Sequence, residues 1–126
     1  IKIPSPITVD DTGDLWDEAD GMKCPGDTNE FVNQKRAEVK SAPTKVEIVP
    51  HDKMFTGQLY VSGEGLRNYL ENPDREKLPY LHYHNGKYVI FDGNHRIVSD
   101  ILTGKTSTKC EVKYVDKYID PDGCFI

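Results

Sequence analysis

Cysteine is scarce in this sequence, and so are the other features that mark specialised classes of protein. Three cysteines among 126 residues, with no CxxC spacing, are too few for a disulfide scaffold. No apolar run reaches the ~18 residues of a membrane span, and no segment resembles the apolar core of a signal peptide. Ten glycines and eight prolines exclude a collagen-like or low-complexity chain. We therefore expect one folded domain that is reduced and cytoplasmic.

Positive charge is in short supply at the N-terminal end. Residues 1–30 contain two lysines and eight acidic residues, a net charge of −6, whereas the rest of the chain has fourteen basic and thirteen acidic residues. A basic protein that tracks nucleic-acid phosphates has a different balance, so any contact with nucleic acid is expected at a local site. Two interpretations of the acidic arm stay open. It is either a solvated arm held on the body by a few apolar contacts, or a tail that binds a protein partner through residues 10–20 with Trp16 as the anchor.

Apolar spacing and turn residues predict an α+β domain. The capping-box spacing from Asp27 to Glu30, followed by mixed helical spacing, predicts a helix over about 28–41. Asn85-Gly86 suits the type I′ turn of a hairpin, because both residues of that turn need a positive φ. The other elements expected are a possible edge strand within 1–9, a strand at 44–49, a helix at 64–70 capped by Ser62, hairpin strands at 80–84 and 87–91, a helix over 94–102 and a strand at 109–115.

A polar turn joins the second hairpin strand to the helix that follows it, and it consists of Asp92, Gly93, Asn94, His95 and Arg96. Free N–H groups and the dipole at a helix N-terminus attract anions. Gly93 would let a ligand approach the backbone, and Asn94 would cap the helix. His95 and Arg96 supply donors for phosphate oxygens, while Asp92 is placed to hold a metal or to orient His95. Such a turn is also typical of an exposed helix cap, so both interpretations stay open.

Residues 87–105 resemble the signature of the ParB/sulfiredoxin-like superfamily, in which a strand ends in a D/G-G-x-H-R-type turn followed by a short helix and a further strand. The resemblance covers about 44–116. It implies a compact core over 44–118, a small mixed sheet with short helices. Residues 1–43 lie outside the resemblance and are expected to form an acidic extension with one helix, and residues 119–126 a C-terminal tail. It also implies that a nucleotide or nucleic-acid phosphate binds at the turn. Members include partition CTPases, sulfiredoxins, a free-serine kinase and small nucleases, many encoded by phages and plasmids.

Two departures narrow what the resemblance implies. Sulfiredoxins carry their reactive cysteine where this chain has Asn94, and Cys110 lies in the predicted last strand, so sulfiredoxin activity is not expected. Partition proteins use a Glu-Arg-Arg turn and a downstream helix-turn-helix domain, which these 126 residues lack. The stand-alone version with a His-Arg turn remains, to which nuclease and nucleotide-hydrolysing functions are assigned.

The resemblance thus implies a phosphate- or nucleotide-binding hydrolase that acts on phosphoesters or phosphoanhydrides of DNA or a nucleotide. If phage-encoded, it would work in the host cytoplasm. Mg²⁺ or another divalent cation would bind Asp92. Two alternatives are a nucleotide-binding module without catalysis and a phage- or plasmid-borne protein that inhibits a host enzyme through its acidic arm. The site residues implied are His95, Asp92 and Glu64 for catalysis, and Gly93, Asn94, His95 and Arg96 for phosphate binding.

Two further pairs of residues bear on metal binding. His82 and His84 are two residues apart in a predicted strand, so they point to one face and could bind a metal. Such pairs more often line the solvent face of a hairpin, and that is our expectation. Cys24 and Cys124 could pair or share a metal, but chance surface placement is the simpler expectation.

Overall fold

A six-stranded mixed sheet with helices on both faces forms the body of the protein. The computed structural model describes residues 1–10, 14–73 and 76–126. The α+β class predicted from the sequence is confirmed. The helices in the described ranges are α1 (Asp14–Asp20), α2 (Asn29–Ser41), α3 (Gly63–Glu71) and α4 (Asn94–Leu102). The strands are β1 (Thr8–Val9), β2 (Thr44–Pro50), β3 (Met54–Thr56), β4 (Tyr80–His84), β5 (Lys87–Asp92) and β6 (Ser107–Tyr114).

The sheet has the order β1-β3-β5-β4-β6-β2 and mixes parallel with antiparallel pairs. The hairpin β4–β5 and the pair β2–β6 are antiparallel, while β1–β3, β3–β5 and β4–β6 are parallel. Asn85 and Gly86 have φ of 52° and 79°, as the predicted type I′ turn requires. The predicted elements from 28 to 115 are therefore confirmed within a residue or two, whereas α1 and β3 were not predicted.

The two faces of the sheet carry different helices. On one face α3 and α4 cover the main core, where Leu66, Ile97 and Val98 pack with Leu81 and Ile90. On the other face α1 lies over β4 and β5. Side chains alternate along a strand, so neighbouring residues of β4 and β5 meet different helices. The alternation therefore keeps the surroundings of α3 and α4 apart from those of α1.

The acidic extension is part of the same packed unit as the core. Strand β1 pairs with β3 at the edge of the sheet, which agrees with the predicted edge strand. Leu15 and Ala19 are buried against Val89 on the second face of the sheet. Part of the negative charge of the extension is paired with the core, since Glu18 lies 3.4 Å from Lys87. The extension thus packs on the core through β1 and α1, and residues 11–13 of the acidic string lie outside the described residues.

A disulfide joins Cys24 to Cys124, with their Cα atoms 5.2 Å apart. The expectation of chance surface placement is therefore wrong. Next to it, Met22 forms an isolated bridge with Cys124. The third cysteine, Cys110, is fully buried, and burial raises the pKa of its thiol to about 12. Because the thiolate is the reactive form, Cys110 is an inert core residue.

A buried polar network joins the C-terminal half of α4 to the sheet. Thr108 donates from Oγ1 to Asp100 Oδ2 at 2.7 Å, and the same oxygen lies 2.7 Å from His51 Nε2. Since the hydroxyl hydrogen is given to Asp100, the oxygen accepts from His51 and the imidazole carries its proton on Nε2. Burial lowers the pKa of His51 below its usual value, although the nearby Asp100 carboxylate opposes this.

No helix within the described ranges is long and apolar enough to cross a membrane.

Candidate functional site

Gly93 is required by the backbone at the turn between β5 and α4. Its φ is 110°, in the left-handed region that a residue with a side chain rarely adopts. A Cβ placed there would lie 2.8 Å from the Cβ of Pro79. We predicted that a ligand would approach the backbone closely at Gly93. On the side where a Cβ would lie, Pro79 occupies that space instead.

Asn94 does not cap α4, so that prediction is wrong. Gly93 occupies the N-cap position with no side-chain cap, and Asn94 is the first helical residue. Its buried side chain accepts a hydrogen bond from Thr56 Oγ1 at 2.8 Å and donates one to Gln58 at 3.3 Å. Asn94 therefore ties the start of α4 to the end of β3.

The N-terminal turns of α3 and α4 meet around the ring of His95. Ser62, the N-cap of α3, donates its backbone N–H to His95 Nε2 at 3.1 Å, and its hydroxyl oxygen lies 3.3 Å from the same nitrogen. The ring also fills the space beside Gly65, where a Cβ would come within 2.8 Å of His95 Cδ2. Since Nε2 accepts from the Ser62 N–H, the neutral ring carries its proton on Nδ1.

This meeting of two helix ends is electrostatically unusual. Each helix N-terminus carries a partial positive charge of roughly half an elementary charge, and its first N–H groups lack intrahelical partners. Two such ends repel each other unless an acceptor or an anion lies between them. Here the lone pair of His95 Nε2 takes that role. Ser62, Gly63 and Glu64 are exposed, so the junction is open to solvent.

Arg96 faces the protein interior instead of the solvent. Its side chain is only 5% exposed. It donates from Nη1 to the carbonyl of Lys77 at 2.9 Å and lies near the ring of Tyr69. These contacts hold the segment before β4 against α4. A direct bond from the Arg96 guanidinium to a phosphate would require this segment to move.

Asp92 pairs with cations and not with His95, so the prediction that it orients His95 is wrong. Its carboxylate lies 3.1 Å from Lys77 Nζ and 3.4 Å from Arg96 Nη2. Partial burial acts to raise the pKa of Asp92, but the interactions with Lys77 and Arg96 outweigh it and lower the pKa below its usual value. Asp92 is therefore a weak base.

The same surroundings do not suit a divalent metal. Mg²⁺ needs oxygen ligands in near-octahedral geometry, and two side-chain cations already compete for the Asp92 carboxylate. Glu64 lies in the first turn of α3, exposed to solvent. Within the described ranges, no group of three or more histidine, cysteine, aspartate or glutamate residues could hold a metal ion. At the position predicted for Mg²⁺, the Asp92 carboxylate is thus already paired with Lys77 and Arg96.

His82 and His84 share a face of β4, but both are buried, so the expected solvent-facing placement is wrong. His82 Nδ1 bonds to the carbonyl of Ala19 in α1, and its Nε2 lies 2.9 Å from the Tyr80 hydroxyl. His84 Nδ1 lies 2.8 Å from the Asp116 carboxylate. The acidic extension and the C-terminal segment thus cover the strand face that we expected to be open.

The fold is expected to lose stability in mild acid because two buried histidines resist protonation. Burial lowers the pKa of both His51 and His82 below 6.5. The unfolded chain therefore binds more protons, and the free energy of unfolding should fall as the pH drops below about 6.5. Urea denaturation at pH 7.5, 6.5 and 5.5 measures this. His82→Gln, which keeps a donor and an acceptor, should reduce the slope; an unchanged slope would contradict the assignment.

Comparisons with protein-family models, with curated proteins and with solved structures gave no match for this chain. The candidate site therefore depends on its own geometry. Sequence reasoning identified His95 and Glu64 but gave Ser62 only a capping role. The sequence carried no signal for the contact, since Ser62 and His95 are 33 residues apart.

Proposed function

We propose that this protein binds a phosphate-bearing ligand, a nucleotide or a nucleic acid, where the N-terminal turns of α3 and α4 meet, and that it hydrolyses a phosphoester or phosphoanhydride there. The observation that supports the proposal is the contact of the His95 side chain, from the first turn of α4, with Ser62 at the solvent-exposed N-terminus of α3. A helix N-terminus favours an anion because its dipole and its free N–H groups act on the same ligand.

Binding would use the backbone more than long side chains. A phosphate oxygen would accept from the N–H groups of Gly63 and Glu64 and from the Ser62 hydroxyl, while the Gly65 N–H keeps its bond to Ser62 Oγ at 3.0 Å. A charged oxygen is a stronger acceptor than a neutral imidazole nitrogen, so the Ser62 N–H would turn from His95 to the ligand. Arg96 would contribute by holding the segment around Lys77, near the turn, and not by direct contact.

Hydrolysis would follow from the release of the His95 lone pair. With the Ser62 N–H engaged by phosphate, Nε2 can take a proton from a water molecule as the water oxygen attacks phosphorus. The bond from phosphorus to the leaving oxygen then breaks, and the first-turn N–H groups stabilise the charge that develops. Glu64 would orient the water from the first turn of α3. Asp92 and a divalent metal take no part in this proposal.

The experiment is a panel of nucleotides and short DNAs, followed by thermal shift and by product analysis. His95→Ala is expected to lower turnover about 10²–10⁴-fold, the usual contribution of a general base, while ligand affinity changes much less. Glu64→Gln should lower turnover but leave affinity equal or higher, because a like charge near the phosphate is removed. Glu30→Gln is the matched control, since Glu30 lies in the first turn of α2.

The outcomes separate the candidate functions. Stabilisation with turnover supports the hydrolase, and stabilisation without turnover supports a binding module. Equal losses of affinity and turnover in His95→Ala would make His95 a ligand contact only. If no phosphate ligand stabilises the protein, or if Glu30→Gln and Glu64→Gln behave alike, the proposed site is wrong.

A partner-binding role for the acidic arm has less support. Asp20 pairs with Arg36 at 3.6 Å and Glu18 with Lys87, so two of its charges are used within the chain. Trp16 packs edge-on against Phe91, with ring centroids 5.1 Å apart, and is not a free anchor.

The Cys24–Cys124 disulfide favours an oxidising compartment over the reduced cytoplasm predicted from the sequence. Disulfides are rare in cytosolic proteins, where thiols are kept reduced. Alkylation of the protein as isolated, followed by mass spectrometry, should find one free thiol, that of Cys110. Three free thiols would favour the cytoplasm.

A further inference from the structure

A cavity of about 680 Å³ lies between α2 and the second face of the sheet. It is on the opposite face of the sheet from α3 and α4, and so it is separate from the junction around His95. Its walls come from α1, α2 and three neighbouring strands. Its lining includes Arg36 and Lys40 of α2, Tyr80 and His82 of β4, Phe91 of β5 and Lys113 of β6.

Lys113 is the unusual member of this set. Its side chain is only 3% exposed. Its ammonium donates to the carbonyl of Lys40 and lies 5.7 Å from the centre of the Tyr80 ring. Among the described residues no carboxylate pairs with Lys113. An ammonium has three donors and is costly to bury without a counter-ion. Lys113 has one carbonyl acceptor but lacks the negatively charged partner that a buried ammonium normally has.

The lining of the cavity carries three basic side chains and one acidic side chain, a balance that favours an anion. Arg36 and Lys40 line it beside Lys113, and the one acidic residue among the lining residues, Asp20, is held by Arg36. Burial and the neighbouring Lys40 charge lower the pKa of Lys113. An anionic ligand would relieve both effects, because it would pair with the ammonium and offset the charge of Lys40.

The remaining walls are flat aromatic surfaces whose polar atoms already have partners. Phe91 stacks on His82 with ring centroids 4.8 Å apart, and Tyr80 meets Phe91 edge-on at 5.6 Å. His82 donates from Nδ1 to the Ala19 carbonyl, so its Nε2 accepts from the Tyr80 hydroxyl. The aromatic part of the wall is therefore apolar apart from polar groups that are already paired, and the hydrogen-bond donors of the lining are those of Lys113, Arg36 and Lys40.

We infer that this cavity binds a flat aromatic anion, with its ring against Tyr80 and Phe91 and its carboxylate or phosphate on Lys113. A mostly apolar cavity with a few convergent polar groups is the usual form of a small-molecule site. The inference goes beyond the proposed function, because it uses none of the residues at the junction of α3 and α4.

Isothermal titration of the full chain tests this inference. The probes are 2-naphthoate, 2-naphthyl phosphate and the neutral 2-naphthalenemethanol, which share one ring and differ in charge. We expect both anions to bind at least about tenfold more tightly than the alcohol, on the scale of a charge-assisted hydrogen bond. Tighter binding of the carboxylate or of the phosphate identifies which anionic group the site prefers.

Lys113→Met removes the charge and keeps the length of the side chain. It should weaken both anions about tenfold or more and leave the alcohol unchanged. The variant removes a buried charge that has no counter-ion but also its hydrogen bond to the Lys40 carbonyl, so we expect only a small change in stability, which urea denaturation measures. Lys109→Met is the control, since Lys109 is exposed on the same strand. Repeating the titrations in His95→Ala separates this cavity from the α3–α4 junction, so failure of one site is distinguishable from failure of the other.

Three results would overturn the inference. The alcohol could bind as tightly as the anions, Lys113→Met could leave naphthoate binding unchanged, or Lys109→Met could weaken it equally. Loss of anion binding in His95→Ala but not in Lys113→Met would assign the probes to the junction instead.

Discussion

Deletion of residues 1–26 is expected to unfold the protein. The segment contributes the edge strand β1 and the buried side chains of Ile3, Ile7 and Leu15. Each large apolar side chain stabilises a fold by about 1.5–3 kcal/mol when it is fully buried, and the deletion also removes Cys24 and its disulfide. The combined loss is comparable with the whole stability of a typical domain, about 5–15 kcal/mol. Far-UV circular dichroism and urea denaturation of the truncated chain measure it.

A charge-only variant separates packing from electrostatics in the same segment. Asp17→Asn combined with Glu18→Gln lowers the negative charge of α1 and keeps Leu15 and Ala19 in place. This variant should stay folded with a small change in stability, because Asp17 is exposed and the pair of Glu18 with Lys87 still contacts solvent, where ion pairs contribute about 0–1 kcal/mol. If the truncated chain instead unfolds cooperatively at the urea concentration of the full chain, the extension is only a solvated arm.

Removal of the Cys24–Cys124 disulfide is expected to lower the free energy of unfolding strongly, although only two side chains change. The two cysteines are separated by 100 residues, and closing a loop of that length restricts the unfolded chain by about 4.7 kcal/mol in the chain-entropy description. Cys24→Ser with Cys124→Ser should lower the free energy of unfolding by up to about this amount. Urea denaturation with and without reductant measures the loss in the wild-type protein.

The double serine variant provides the control for this measurement. Reductant should destabilise the wild-type protein but not the variant, because Cys110 forms no disulfide. If reductant leaves the wild-type midpoint unchanged, or if the protein as isolated contains three free thiols, the two cysteines are not joined in solution.

Local sequence signals account for most of the helices and strands of this protein. The Asn85-Gly86 turn, the Ser62 cap and the apolar spacing after Asn94 each predicted an element that the structure contains. These signals work because turn conformation, capping and helical spacing depend on residues within a few positions of one another. Strand β3 has only three residues, too few for a periodic pattern, and it was not predicted.

Which side chains are exposed and which are buried follows only from the tertiary structure. Arg96 follows His95 directly, yet the Arg96 side chain is buried against Lys77, whereas the His95 side chain reaches Ser62 at the N-terminus of α3. The two histidines of β4 were expected to face solvent, but α1 and the C-terminal segment cover them. Burial of this kind depends on which distant segments pack together. Contacts between residues that are 30 to 100 positions apart arise from the packing of whole elements, and the residue spacing within one segment does not predict them.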